Sequence, residues 1–188
     1  KNFKHGHPDL SKLTNGVGGK SYGWGFYTAQ DRKTAERYKL SLGNTGVVYS
    51  LDMPTYAVDG LLNWEAPFID QSTAVQEALI KLASKVGVDI APSQLGSVIY
   101  GKIAAKLGTQ KKASEALRRV NIPGLRYTDR VGKRNSTDSN FVIWDQEVLD
   151  EVIVEAPNTK EYNERVKTAN KANTQSLASK VKDQKIID

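Results

Sequence analysis

The period of the apolar positions changes repeatedly along the chain, and each change marks an element. Val75, Leu79, Leu82 and Val86 recur every three or four residues, the repeat of one helix face. Ser72 stands where a capping hydroxyl belongs, so a helix is predicted over 72–86. Two more follow over 92–107 and 111–120, and Asn121-Ile122-Pro123-Gly124 stops the last of them, because proline brings no N–H. Strand signals lie elsewhere. Phe26-Tyr27-Thr28 is a short β-prone run, Gly46–Met53 alternates, Leu125–Thr128 follows the proline, and Phe141–Trp144 is the most strand-like tetrad in the chain. Arg32–Leu40 reads as a helix with Asp31 as its cap. Val148–Val154 predicts a turn of helix and a closing strand, Asn2–His5 a short strand, Pro8–Leu13 a helical turn and Asn15–Gly19 a loop. Pro54–Pro67 keeps no single period, with Leu61, Leu62, Trp64 and Phe68 expected over a core edge.

Strands and helices alternate irregularly, and no glycine-rich strand-to-helix phosphate motif is present. The expected class is therefore α+β and not a doubly wound nucleotide fold. A chain of 188 residues suffices for one domain with a real core and an appendage. The domain is expected over 1–156. Beyond Pro157, Asn, Thr, Lys, Gln and Ser dominate, and a weak stripe (Tyr162, Val166, Ala169, Leu177, Val181) makes 157–188 either a helical tail or a partly disordered one.

Composition narrows the chemistry. There is no Cys, which excludes disulfides and thiolate catalysis, so this is not a disulfide-bonded secreted protein. Two His leave too few ligands for a protein-built zinc site, and no metal is expected. No apolar run approaches the length of a membrane span, so no membrane partner is expected. The chain opens on Lys with a strand at once, as expected of a domain excised or processed from something longer, or of a trimmed one. Net charge is +6, yet Gly101–Arg134 alone carries ten basic residues against Glu115 and Asp129, a local excess of eight. Such a block serves a phosphate-bearing partner or is a solvated face, and the sequence leaves both open.

One stretch concentrates the candidate chemistry. Gly23-Trp24-Gly25-Phe26-Tyr27-Thr28-Ala29 brackets a tryptophan with glycines, and Tyr38 follows Tyr27 by eleven residues. The glycines suit a tight bend or close backbone approach, and the two tyrosines either face one cleft or belong to the core. With His5-Gly6 before it and Asn140-Phe141 after it, this stretch resembles the ADP-ribosyltransferase superfamily, in its His-Tyr-Glu branch of diphtheria toxin and the poly(ADP-ribose) polymerases. The polymerase pattern is Gly-x-Gly-Ile-Tyr-Phe-Ala and then a Tyr at the same eleven-residue separation. The resemblance runs from about Phe3 to Val154. It is closest to the ADP-ribosyltransferase domains of phage and mobile-element polyvalent proteins, to which Ile122–Asp129 and Asn140–Asp145 are also similar.

That resemblance implies two small antiparallel sheets forming a split cleft, with surrounding helices and a helical insertion over 72–120. It implies NAD as co-substrate, with the nicotinamide ring between Tyr27 and Tyr38. Gly6 would bind the carboxamide through its backbone, and His5 the adenosine-side ribose. His7 stands where relatives usually have Ser, and Ala35 where the polymerases place a carboxamide-binding Ser. The superfamily's glutamate falls at Asn140, with Glu147 and Asp138 near in sequence as compensating carboxylates. Strand alternation sets Asp145 on the opposite face. Arg130, Lys133 and Arg134 occupy the loop with which the family reads its target, and they favour an acidic or nucleic-acid one. The implied activity is mono-ADP-ribosyl transfer to a host macromolecule, or NAD glycohydrolysis. The implied setting is the bacterial cytoplasm after delivery by a phage or mobile element, with packaging in a virion as one route. Asn140 and Ala35 equally suit a catalytically inactive domain that is a structural part of a virion or larger polypeptide, and the basic block suits a nucleic-acid-binding module.

Overall fold

The computed structural model describes residues 7–13, 21–41, 48–128 and 138–155. In chain order these form β1 (Phe26–Ala29), α1 (Arg32–Ser41), β2 (Ser50–Asp52), α2 (Thr55–Asp59), β3 (Leu62–Asn63), α3 (Thr73–Val86), α4 (Gly96–Leu107), α5 (Gln110–Arg118), β4 (Gly124–Thr128), β5 (Ser139–Ile143), α6 (Gln146–Glu151) and β6 (Ile153–Glu155), with short 3₁₀ turns at Leu10–Lys12 and Phe68–Asp70. The strands make two small sheets, one in the order β1-β5-β4-β3 and a two-stranded β2-β6 pair. The α+β class expected from the pattern holds.

Local chemistry accounts for most of the boundaries. The Ser72 side chain accepts from the Val75 N–H and starts α3, while Gly87 in the left-handed conformation ends it. Thr109 caps α5 by accepting from the Lys112 N–H. Asp31 accepts from the Lys33 N–H at 3.0 Å at the head of α1. Three expectations shift. The helix predicted from Pro92 starts at Gly96, because the Phe68 N–H takes the Gln94 carbonyl and the Gly96 N–H takes that of Ala66. The Gly46–Met53 strand is reduced, among the described residues, to Ser50–Asp52. β3 pairs with β4 in parallel, so the larger sheet is mixed and not antiparallel throughout. α2 and β3 have no periodic signature in the sequence.

The four-stranded sheet has two packed faces. Leu125, Tyr127 and Val142 join Leu62, Val75, Leu79, Ile99, Tyr100, Ile103, Leu117 and Trp144 in the main core. Helices α3, α4 and α5, from the 72–120 segment, therefore build the principal core together with the sheet. On the other face Ile143 packs with Ala57, Leu61, Val148 and Leu149, with Leu10, Phe26, Met53 and Phe141 alongside. The segment 157–188 lies outside the described residues.

Candidate functional site

Strand register assembles the site. Ala29 and Tyr127 both pair with Asn140, from β1 and β4 respectively, and Tyr27 and Leu125 both pair with Val142. Because side chains alternate between faces, Tyr27, Ala29, Asn140 and Tyr127 share one face, with adjacent strands about 4.8 Å apart. α1 follows β1 directly, and Thr34, its one buried residue, stands four positions before Tyr38 on the same helix face. Tyr38 thus projects from the sheet-facing side of α1 while remaining 54% exposed, against 38% for Tyr27. The described ring contacts are Tyr22 with Trp64 and Tyr127, and Tyr100 with Trp64 and Trp144, so Tyr27 and Tyr38 do not stack on each other.

The glycine-bracketed bend has a definite cause. Gly23 has φ +97°, and a Cβ there would stand 2.6 Å from the Tyr100 hydroxyl. A Cβ on Gly25 would stand 2.7 Å from Val142 Cγ1. The bend is then held by polar contacts from the helices. The Trp24 N–H donates to the Tyr100 hydroxyl at 3.2 Å, Ser114 Oγ donates to the Trp24 carbonyl at 2.8 Å, and the Tyr100 and Ser114 hydroxyls meet at 2.9 Å. Lys111 Nζ lies 5.2 Å from the Trp24 ring centroid, and the Tyr27 hydroxyl donates back to the Gly23 carbonyl at 2.7 Å. Burial, opposed by a hydrogen bond from the Tyr22 backbone, pushes the Tyr27 phenol up to about 12. Tyr127 is raised further in the same direction, first by burial and then by the neighbouring Tyr38 hydroxyl, with the Asn140 side chain opposing. The Tyr27 and Tyr127 phenols therefore stay protonated throughout the physiological range.

Asn140 is 2% exposed, and its Oδ1 is buried without a hydrogen-bond partner among the described residues. At the end of the same strand pair, the Ser139 N–H donates to Gln30 Oε1 at 2.8 Å and the Gln30 N–H to the Ser139 carbonyl at 3.0 Å, which pins β5 to β1 beside the site. Glu147 does not compensate for the missing carboxylate. It lies in α6, beyond the far end of β5 and about 10 Å of strand from Asn140, and α6 packs against the opposite face of the sheet. Asp145 sits past the end of β5 as the N-cap of α6, so its helix and not strand alternation removes it. Asp138 directly precedes β5. Ala35 lies half-buried in α1 with its N–H on the Asp31 carbonyl.

His7 is half-buried with Nδ1 unpartnered among the described residues. The chain after it is tied to α6, since Gln146 Nε2 donates to the Pro8 carbonyl and the Leu10 N–H to Gln146 Oε1. Leu10 therefore packs on the face opposite Asn140. His5, Gly6, Arg130, Lys133 and Arg134 lie outside the described residues. Two residues of the site carry no local signal in the sequence. Tyr127 reaches it only through its register with Asn140, and Tyr22 only by stacking on Tyr127, at 3.6 Å between centroids and 11° between planes. On the β3–β4 edge beyond Tyr127, an open polar concavity of about 480 Å³ is lined by Glu65, Asp70 and Arg126 among others. There Glu65 Oε2 accepts from the Thr128 N–H and hydroxyl, each at 2.9 Å.

Among the described residues no group of His, Asp and Glu is arranged to hold a metal ion, and no described helix is long and apolar enough to cross a membrane. The chain matches no family model, no curated protein and no solved structure.

Proposed function

We propose that this face binds NAD and that the protein transfers ADP-ribose to a macromolecular target or hydrolyses NAD. The observation that carries the reading is that Tyr27 and Tyr127 share one sheet face with Asn140, with Tyr38 near both phenols, and that the buried acceptor oxygen of Asn140 has no partner among the described residues. Two separated aromatic rings suit a flat heteroaromatic ligand, each stacking contact adding about 0.5–1.5 kcal/mol beyond burial. In the reaction the bond from ribose C1 to the nicotinamide nitrogen breaks, and nicotinamide leaves with the electron pair. Water or a target nucleophile then bonds to C1 and gives up its proton. The transition state is oxocarbenium-like, as in glycoside cleavage. Asn140 contributes a hydrogen-bond acceptor to the ribose with no charge, and so stabilises that cation less than a carboxylate does.

That absence of charge, together with the remoteness of Glu147, favours one second reading: a domain that binds the dinucleotide without cleaving it, acting as a structural part of a virion or larger polypeptide. Incubation with isotope-labelled NAD and bacterial lysate, following free nicotinamide and label transfer separately, tests both. Transfer or release supports the enzyme. Binding by calorimetry with neither product supports the inactive domain, and no binding refutes both.

A further inference from the structure

The fold divides the basic block of 101–134. Lys102 Nζ donates to the Asp89 carbonyl at 2.9 Å, and Lys106 Cε and Nζ would each stand 3.8 Å from a Cβ on Gly87. Both lysines thus serve the C-terminal end of α3, where helix carbonyls are partly negative. Arg126 lines the polar concavity with Glu65 and Asp70. What remains among the described residues is α5. Its Ala113, Ser114, Ala116 and Leu117 are buried against the core, which leaves Lys111, Lys112, Glu115, Arg118 and Arg119 on the outward side.

Helix stability alone does not account for that face. Glu115 stands three or four positions from all four cations, but it meets Lys111, at 4.0 Å, and one carboxylate offsets one charge. Lys112, Arg118 and Arg119 have no ion-pair partner among the described residues. Arg118 and Arg119 suit the negative end of the helix. Lys111 and Lys112 do not suit theirs: they fill a first turn with no acidic residue, where the macrodipole is positive and favours carboxylates. Two lysines set against the dipole are a local cost that an anion laid across the face removes. The turn leading into α5 is open as well, since a Cβ on Gly108 would meet no described atom within 4 Å.

We infer that the outward face of α5 is a docking surface for nucleic acid, held through its phosphates by Lys111, Lys112, Arg118 and Arg119. A duplex carries one negative charge per about 1.7 Å of its axis, and the nine residues of α5 extend about 13 Å, so several phosphates meet the face at once. An anionic membrane fits less well, because the apolar side of α5 is buried in the core and leaves nothing to enter lipid. Lys111 Nζ, 5.2 Å from the Trp24 ring centroid, sets one end of the surface beside the bend that leads into β1. The inference stands apart from the NAD reading and holds whether or not the dinucleotide is bound or cleaved.

The test is fluorescence anisotropy of the full chain with a labelled DNA duplex of about 20 base pairs, between about 50 and 200 mM salt. Four phosphate contacts give a slope of log affinity on log salt of about −3.6, so wild-type affinity should fall about a hundredfold over that range. The triple variant Lys112→Ala, Arg118→Ala, Arg119→Ala should flatten the slope to about −1 and weaken binding at about 50 mM at least about tenfold. Alanine is the best helix former, so these exposed positions accept it. A matched triple variant, Lys12→Ala, Lys81→Ala, Lys85→Ala, removes the same charge from other exposed positions and should keep the slope within about 0.5 of wild type. Should the first triple variant lose helix by circular dichroism, Lys112→Ala and Arg118→Ala taken singly should each flatten the slope by about 0.9. No binding at about 50 mM overturns the inference. So does an unchanged slope in the α5 variants, an equal loss in the two triple variants, or capture by phosphatidylserine vesicles without DNA binding.

Discussion

Replacing Tyr100 by Phe isolates the contact through which the helical segment shapes the candidate site. Tyr100 is 2% exposed, and its ring lies between Trp64 and Trp144, at 5.5 and 5.9 Å. Phenylalanine keeps that packing and deletes only the hydroxyl, which meets the Trp24 N–H, the Gln110 carbonyl and Ser114 Oγ. Gln110 is exposed, so water replaces its lost donor, and Ser114 still donates to the Trp24 carbonyl. The Trp24 N–H is the group left without an acceptor. An unsatisfied buried donor costs about 1–3 kcal/mol, and Trp24 is half-buried, so we expect about 1–2 kcal/mol. At this chain length that is roughly 3–6 °C in Tm, with an unchanged urea m-value, because the surface exposed on unfolding stays the same. Tyr100→Ala, which also opens a cavity, should cost about 3–5 kcal/mol. The bend at Gly23–Gly25 loosens in Tyr100→Phe, so NAD affinity should fall as well. A drop in Tm below about 1 °C with unchanged affinity would refute the reasoning and assign the bend to the β1–β5 ladder alone.

Tyr38→Ala should weaken NAD or nicotinamide binding about tenfold with an unchanged circular dichroism spectrum, since the ring is exposed and, on the proposed NAD reading, would contribute stacking and apolar contact to the ligand and not to the core; equal affinities by calorimetry would remove Tyr38 from the site. Asn140→Glu should raise nicotinamide release between a few-fold and roughly a hundredfold, because a charged acceptor strengthens the bond in the transition state. Burial at this position raises the new carboxylate's pKa, so the gain should grow with pH, and a pH-independent gain would point to another cause. Tyr27 titrates at about 12 in the fold against 10.0 unperturbed, so stability should be level below about pH 10 and fall as pH rises toward 12, where the unfolded chain loses its proton first. Urea midpoints in Tyr27→Phe should fall less steeply over that window, and an identical slope would deny Tyr27 the effect.

What could be read from the chain alone was whatever a few consecutive residues decide. Ser72 followed by Val75, Leu79 and Leu82 specifies a capped amphipathic helix within one window, and α3 forms there. Asn121–Gly124 ends α5, and the apolar tetrad at Phe141 forms β5, for equally local reasons. The glycines around Trp24 announced a close approach, but not that the approaching group is the Tyr100 hydroxyl, 76 positions away. Register was beyond reach for the same reason. A shift of one residue between β4 and β5 would turn Tyr127 to the other face, and only the packed sheet sets it opposite Asn140. β3 is a strand because Leu62 pairs with Leu125 in parallel, not because two residues carry a pattern. Hydrophobic period and capping act within one element, whereas the site at Asn140 depends on pairings between strands far apart in sequence, which exist only once the core has formed.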